Sequence, residues 1–103
     1  MKLVLVCYSG SSASILRDRM LAWARANLLD VEIIVSSLAG LDEDKEDADI
    51  VLVGPQVRCA LASVRERVPE RIPVMAVDTR DYGMAKGDRV MQAALDEIRQ
   101  YKE

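Results

Sequence analysis

The sequence has no histidine anywhere in its 103 residues. That excludes a Ser–His or Cys–His nucleophile pair, a phosphohistidine carried by this chain, and most zinc sites. Phenylalanine is also absent, and aromatics amount to 4% of the chain, one Trp and three Tyr. The core must therefore be aliphatic, built from Val, Leu, Ile, Ala and Met. No apolar run approaches the ~20 residues that a membrane-crossing helix needs. Residues 3–6 are apolar, but residues 7–14 turn small and polar. That is too short for the core of a signal peptide, and a cytoplasmic protein is expected. Positive charge is not in excess either: the net charge is −3. Duplex nucleic-acid binding leaves a basic footprint, so no nucleic-acid partner is expected. Two cysteines, Cys7 and Cys59, are too few for a disulfide framework and read as thiols in a cytosolic chain. Chemistry must run on thiol, hydroxyl, carboxylate, Arg, Lys or backbone groups, with no cofactor or metal expected.

What is present fits one domain over residues 1–103, with half the residues hydrophobic and 30% charged. Residues 2–6 (KLVLV) form an uninterrupted β-rich run, the pattern of a strand buried on both faces of a parallel sheet. Residues 7–13 (CYSGSSA) read as a loop. A helix is expected over 14–27, with Leu16, Met20, Trp23 and Asn27/Leu28 as its inward stripe. A second strand spans 31–36, followed by an acidic connection over 40–49 with room for a helical turn or two. A third strand spans 50–54. Pro55 suits a helix start, because its missing N–H is no loss there. Val57, Leu61, Val64 and Val68 then share one face. A fourth strand is expected over 72–77, a loop over 78–87, and a last helix over 88–101 with Val90, Met91, Ala94, Leu95, Ile98 and Tyr101 inward. Such alternation of strands and helices predicts an α/β three-layer sandwich. Its sheet is four-stranded and parallel, flavodoxin-like, with helices on both faces.

In such sheets ligands bind where strands end and helices begin. Cys7 falls there, followed by Tyr8, Ser9, Gly10, Ser11, Ser12, Ala13 and Ser14. Small residues let successive N–H groups surround an anion, and Gly10 can take a positive φ. A helix N-terminus adds partial positive charge and lowers a nearby thiol pKa. One loop is thereby equipped to activate sulfur and hold phosphoryl oxygens. Two chemistries fit it. Low-molecular-weight tyrosine phosphatases use Cys-x5-Arg, whose guanidinium stabilises the transition state. Here the sixth residue after Cys7 is Ala13. Without the guanidinium, water attack on an S–P bond loses support, which argues for a carrier rather than a hydrolase. A small cysteine-dependent phosphatase or thiol reductase of the same fold remains the alternative, and a binding module without catalysis a third reading.

The motifs taken in order carry a resemblance. Cys7, Gly10, Ser12 and Ser14 fit a Cys-x-x-Gly-x-Ser-x-Ser loop; Gly54-Pro55-Gln56 follows the third strand; Val77-Asp78 and then Tyr82-Gly83 follow the fourth. Over nearly its whole length the chain resembles the IIB component of the bacterial phosphoenolpyruvate-dependent sugar phosphotransferase system, of the lactose/cellobiose (diacetylchitobiose) type. The resemblance implies that Cys7 accepts a phosphoryl group from a phosphohistidine of a IIA protein. It then passes that group to a cellobiose-, lactose- or chitobiose-like sugar held by the membrane permease IIC. The chain would thus act as a protein–phosphocysteine–sugar phosphotransferase, transiently at the inner face of the membrane. Ser11 and Ala13 stand where the family commonly has Met and Thr, a difference that bears on partner or sugar preference.

Other residues border the same edge. Gly54, Pro55 and Gln56 could wall a pocket or merely turn strand into helix. Asp78, Arg80, Asp81 and Tyr82 could border the phosphate or contact a partner; Arg80 could stand in for the missing arginine. Cys59 lies off the apolar stripe of its helix, and a Cys7–Cys59 redox pair would need Cα atoms within ~7 Å. The acidic run 42–49 reads as a solvated face.

Overall fold

A computed structural model describes residues 1–8 and 10–102, with no side-chain description for Ser11, Ser12 and Asp44. Four strands, β1 (Lys2–Val6), β2 (Glu32–Ser36), β3 (Ile50–Val53) and β4 (Val74–Ala76), form one sheet in the order β2-β1-β3-β4. Every pairing is parallel. Helices α1 (Gly10–Ala26) and α5 (Gly87–Lys102) cover one face. Short α2 (Leu41–Asp44), a 3-10 helix (Pro55–Ala60) and α3 (Leu61–Arg67) cover the other. A one-turn helix α4 (Thr79–Gly83) lies between β4 and α5. This is the expected α/β sandwich. No described helix is long and apolar enough to cross a membrane.

Side-chain alternation along β1 sorts the core. Leu3, Leu5 and Cys7 enter the layer under α1 and α5, while Val4 and Val6 enter the layer under α2 and α3. β3 divides likewise, with Ile50 and Leu52 on the first face and Val51 and Val53 on the second. All these residues are buried, which is why neither strand carries a polar side chain beyond half-buried Lys2 at the start of β1.

The helices differ in detail from the sequence expectation. α1 begins at Gly10, four residues before the expected start at 14, so most of the presumed loop is helical. The reason is Ala13: it is fully buried and opens a stripe continued by Leu16, Met20 and Ala24. Gly and Ser are tolerated in a first turn, whose N–H groups have no intrahelical acceptor anyway. At the other end the stripe stops at Ala24; Trp23 is half-buried, and Asn27 and Leu28 are exposed. The stretch after Pro55 starts as a 3-10 helix, with Val57 at φ −115° and ψ 19°, before α3 takes over. β4 is shorter than expected because Pro73 has no N–H for the ladder. Residues 78–87, expected as a loop, contain α4, whose first turn is capped by the Asp78 carboxylate.

Two local features set the stability of this frame. α1 ends in a Schellman motif: the Leu28 N–H donates to Arg25 O (3.1 Å) and the Leu29 N–H to Ala24 O (2.8 Å). Leu28 therefore sits at φ 58° with 94% of its surface exposed, in a conformation that favours glycine. Replacing Leu28 by Gly should raise the unfolding free energy by about 1 kcal/mol, since a side chain in the left-handed region costs that much. At the α1–α5 crossing, a Cβ added to Gly87 would lie 2.5 Å from Arg19 C and 2.6 Å from Met20 N. Those are backbone atoms and cannot rotate away. Gly87→Ala should therefore destabilise by about 1–3 kcal/mol, the range for overpacking. Urea denaturation of both variants against the parent chain measures the two opposite shifts.

Candidate functional site

The site is assembled at the carboxyl edge of the sheet. Chain order reverses between β1 and its neighbour β3, because the chain leaves β1 toward β2 under one helical layer and returns to β3 under the other. A crevice outside the strand ends at such a reversal is where open α/β sheets bind ligands. Cys7 stands on one side of it, directly after β1, and Gly54 on the other, directly after β3.

Three backbone hydrogen bonds extend the ladder one step past the strands and level this edge. The Cys7 N–H donates to Ser36 O (2.9 Å), the Gly54 N–H to Val6 O (2.9 Å) and the Val77 N–H to Val53 O (2.9 Å). The Cys7 amide is thus committed to β2, and amides that could hold a ligand must come from later in the loop. Ser36 was not singled out in the sequence. It is buried, and its hydroxyl donates to Ser37 O (3.0 Å). Its signal was there: a pair of serines closing the apolar run EIIVSS, at the same sheet edge as Cys7.

Cys7 itself is 3% exposed and belongs to the cluster under α1 and α5, with Ala13, Leu16, Val77 and Tyr82. Burial pushes its thiol pKa up, the opposite of the lowering expected from the helix N-terminus alone. The resting group is a covered, protonated thiol. Tyr8, next in the chain, is exposed. Ser9 lies outside the described residues, as do the side chains of Ser11 and Ser12. Gly10, Ser11, Ser12, Ala13 and Ser14 occupy the first turns of α1; Ala13 is fully buried and Ser14 half-buried. No guanidinium can occupy the place of Ala13, six residues after the thiol.

Gly54 is buried against the crevice. A Cβ there would lie 3.0 Å from Gln56 Oε1, 3.2 Å from Val6 O and 3.4 Å from Tyr82 Cε2. That one position thus gathers Gly54, Gln56 and Tyr82 beside the backbone that leads into Cys7. Pro55 begins the 3-10 helix behind them and is half-buried. Tyr82 is buried, and its hydroxyl has no hydrogen-bond partner among the described residues.

Asp78 and Arg80 fall differently. Oδ2 of Asp78 accepts from the Arg80 N–H (3.1 Å) and the Asp81 N–H (3.0 Å), so this carboxylate serves as the cap of α4. Arg80 is exposed and shares a surface hollow of about 270 Å³ with Asp78, Asp81, Met84, Lys86 and Arg89. Asp81 pairs with Arg89 at 3.1 Å. Cys59 is exposed on the 3-10 helix while Cys7 is buried, and the two form no disulfide.

Comparison with known proteins converges on one family. Residues 2–93 match the family model of the lactose/cellobiose-specific IIB subunit of the phosphotransferase system (PTS). The chain belongs to that family. It is 33% identical over 98 residues to the galactose-specific EIIB component of the PTS of Lactococcus lactis, covering 89% of this chain and 91% of that one. It is 33% identical over 95 residues to the oligo-beta-mannoside-specific EIIB component of Bacillus subtilis, covering 91% and 92%. Among solved structures, the cellobiose-specific IIB component of Borrelia burgdorferi superposes with a TM-score of 0.82 at 30% identity, over 98% of this chain and 94% of that one. The lactose-specific IIB domain of Streptococcus pneumoniae superposes at 0.77 with 17% identity, over 94% and 96%, a likeness of fold. As a sugar-specific IIB component, the chain supports phosphoryl transfer in sugar uptake.

The two thiols offer a direct check on the geometry. At neutral pH, iodoacetamide should label exposed Cys59 well before buried Cys7. The Cys7 rate should still be climbing at pH 9.0, because its thiolate forms above the ordinary value. Peptide mass mapping across a pH series reads both; a Cys7 profile that levels off below pH 8 would contradict the burial described.

Proposed function

We propose that Cys7 is the phosphoryl-carrying residue of this IIB component. The observation that carries the proposal is the placement of its sulfur: at the β1–β3 reversal, in the first position after β1, in a chain without histidine. The donor is a phosphohistidine of a IIA protein. In the first step the P–N bond breaks as the S–P bond forms, and the thiol proton ends on the histidine nitrogen. A thiol held protonated by burial brings the proton that this exchange requires. In the second step a sugar hydroxyl bound by the IIC permease attacks phosphorus. The O–P bond forms, the S–P bond breaks, and the hydroxyl proton replaces the phosphoryl group on sulfur. The sugar belongs to the cellobiose–lactose–chitobiose class, in keeping with the cellobiose relatives.

The loop contributes through its backbone. Tyr8, Ser9, Gly10, Ser11, Ser12, Ala13 and Ser14 form the phosphate-binding stretch, and the α1 dipole favours an anion at its first turn. Gly54, Pro55, Gln56 and Tyr82 border the pocket, and Asp78 and Arg80 lie toward a partner surface. A buried Ala13 in place of an arginine leaves water attack without its electrostatic support, so the S–P bond persists until an acceptor arrives. That separates this reading from a phosphatase of the same fold.

The test is phosphotransfer from phosphoenolpyruvate through the general phosphotransferase proteins and IIA, read by intact mass. One added phosphoryl group is expected on the parent chain, none on Cys7→Ser, and loss of the group on iodine treatment. A phosphoryl group retained by Cys7→Ser would refute the assignment. Steady Cys7-dependent turnover of an aryl phosphate would favour the phosphatase instead.

A further inference from the structure

Tyr82 presents a polar atom for which the resting protein has no use. The residue is 6% exposed, and its hydroxyl is buried without a hydrogen-bond partner among the described residues. Native proteins satisfy nearly all such groups, because an unpaired buried hydroxyl is costly. If packing alone were at stake, a ring without the oxygen would serve better.

The surroundings of the ring indicate what the oxygen is for. α4 starts directly after the β4 edge, and the Tyr82 N–H donates to Asp78 O (2.9 Å), so the capped turn fixes where the side chain departs. The ring enters the cluster that holds Cys7, Ala13 and Val77. Its Cε2, one bond from the carbon bearing the hydroxyl, lies 3.4 Å from the place a Gly54 Cβ would take. That place is 3.2 Å from the carbonyl of Val6, the residue before the thiol. The ring edge beside the hydroxyl is therefore held at the β1–β3 crevice, in the layer that Cys7 enters.

We propose that the Tyr82 hydroxyl donates a hydrogen bond to the phosphoryl group on Cys7, and so acts as a positioning and stabilising residue of the charged carrier. The inference rests on the reading of Cys7 as the phosphoryl acceptor. A phosphoryl dianion supplies the acceptor oxygens that the resting site lacks, and hydrogen bonds to ionised acceptors are roughly twice as strong as neutral ones. The donor is unsatisfied in the empty state and satisfied in the charged one, so its whole effect falls on the difference between them. It shifts the phosphoryl equilibrium from IIA toward this chain.

The experiment mixes phosphorylated IIA with the parent chain, with Tyr82→Phe and with Tyr101→Phe, and reads the exchange equilibrium by intact mass and the thermal midpoint of each protein in both states. Tyr101 is the control: its hydroxyl already donates to Glu70 O, and it lines a hollow with Asp49 and Pro73 at the opposite edge of the sheet. Tyr82→Phe should move the equilibrium back toward IIA by about tenfold, the scale of one charge-assisted hydrogen bond. It should leave the uncharged protein at least as stable as the parent and shrink the rise in midpoint on phosphorylation. Tyr101→Phe should lower the midpoint in both states and leave the exchange ratio alone. An unchanged ratio with Tyr82→Phe, on a parent chain that does take up phosphoryl at Cys7, overturns the role of Tyr82 and spares the carrier. Failure of the parent chain to take up phosphoryl overturns both.

Discussion

The parity of β1 is the constraint from which the rest of the site follows. Successive residues of a strand face opposite ways, and β1 commits Leu3, Leu5 and the following Cys7 to the layer beneath α1 and α5. A shift of one residue would turn the sulfur toward α3 and leave the crevice without its thiol. The register is held on both sides: the Cys7 N–H reaches β2, and the Val6 carbonyl takes the Gly54 N–H. Neither bond requires a particular side chain, so the address of the sulfur is written in the backbone ladder and in the valines and leucines that bury it.

That address brings a cost in reactivity that the chemistry absorbs. Desolvation raises the Cys7 pKa and works against the helix N-terminus nearby. For a hydrolase working on its own, a thiol kept protonated would be a handicap. For exchange with a histidine nitrogen it is less so, since the departing imidazole is itself a base. Burial also withholds water from the sulfur, which suits the proposed carrier role.

The frame was legible in the sequence because its signals are redundant. Continuous apolar runs at 3–6 and 50–53 can be little but buried parallel strands, and the expected strand over 2–6 matches β1 residue for residue. Of the expected α5 stripe, Val90, Met91, Ala94 and Ile98 are buried, while Leu95 is half-buried and Tyr101, near the end of the helix, is exposed. The start of α1 was not legible, because Gly-Ser-Ser reads as a turn until one knows that Ala13 is inside the core. α4 was missed since five residues give no periodicity, and only the Asp78 cap betrays it. Within the site, the position of Cys7 could be read from the strand–loop–helix order, and so could the edge shared by Gly54 and Tyr82. The direction of the thiol shift could not, because it depends on how deeply the sulfur is covered, and that is decided by residues far along the chain. Nor could the lone hydroxyl of Tyr82, which is defined by what does not approach it.

The contact at Gly87 reaches further than the stability of one crossing. With no Cβ between them, the backbones of α5 and α1 lie nearly atom to atom at Arg19 and Met20, midway along α1. A rod pinned at its middle cannot slide along its own axis. The end that faces the sulfur therefore keeps a fixed height above the sheet. On the opposite bank α4 is capped by the Asp78 carboxylate and tied to α5 by the Asp81–Arg89 pair, so both banks of the crevice are anchored to the long helices.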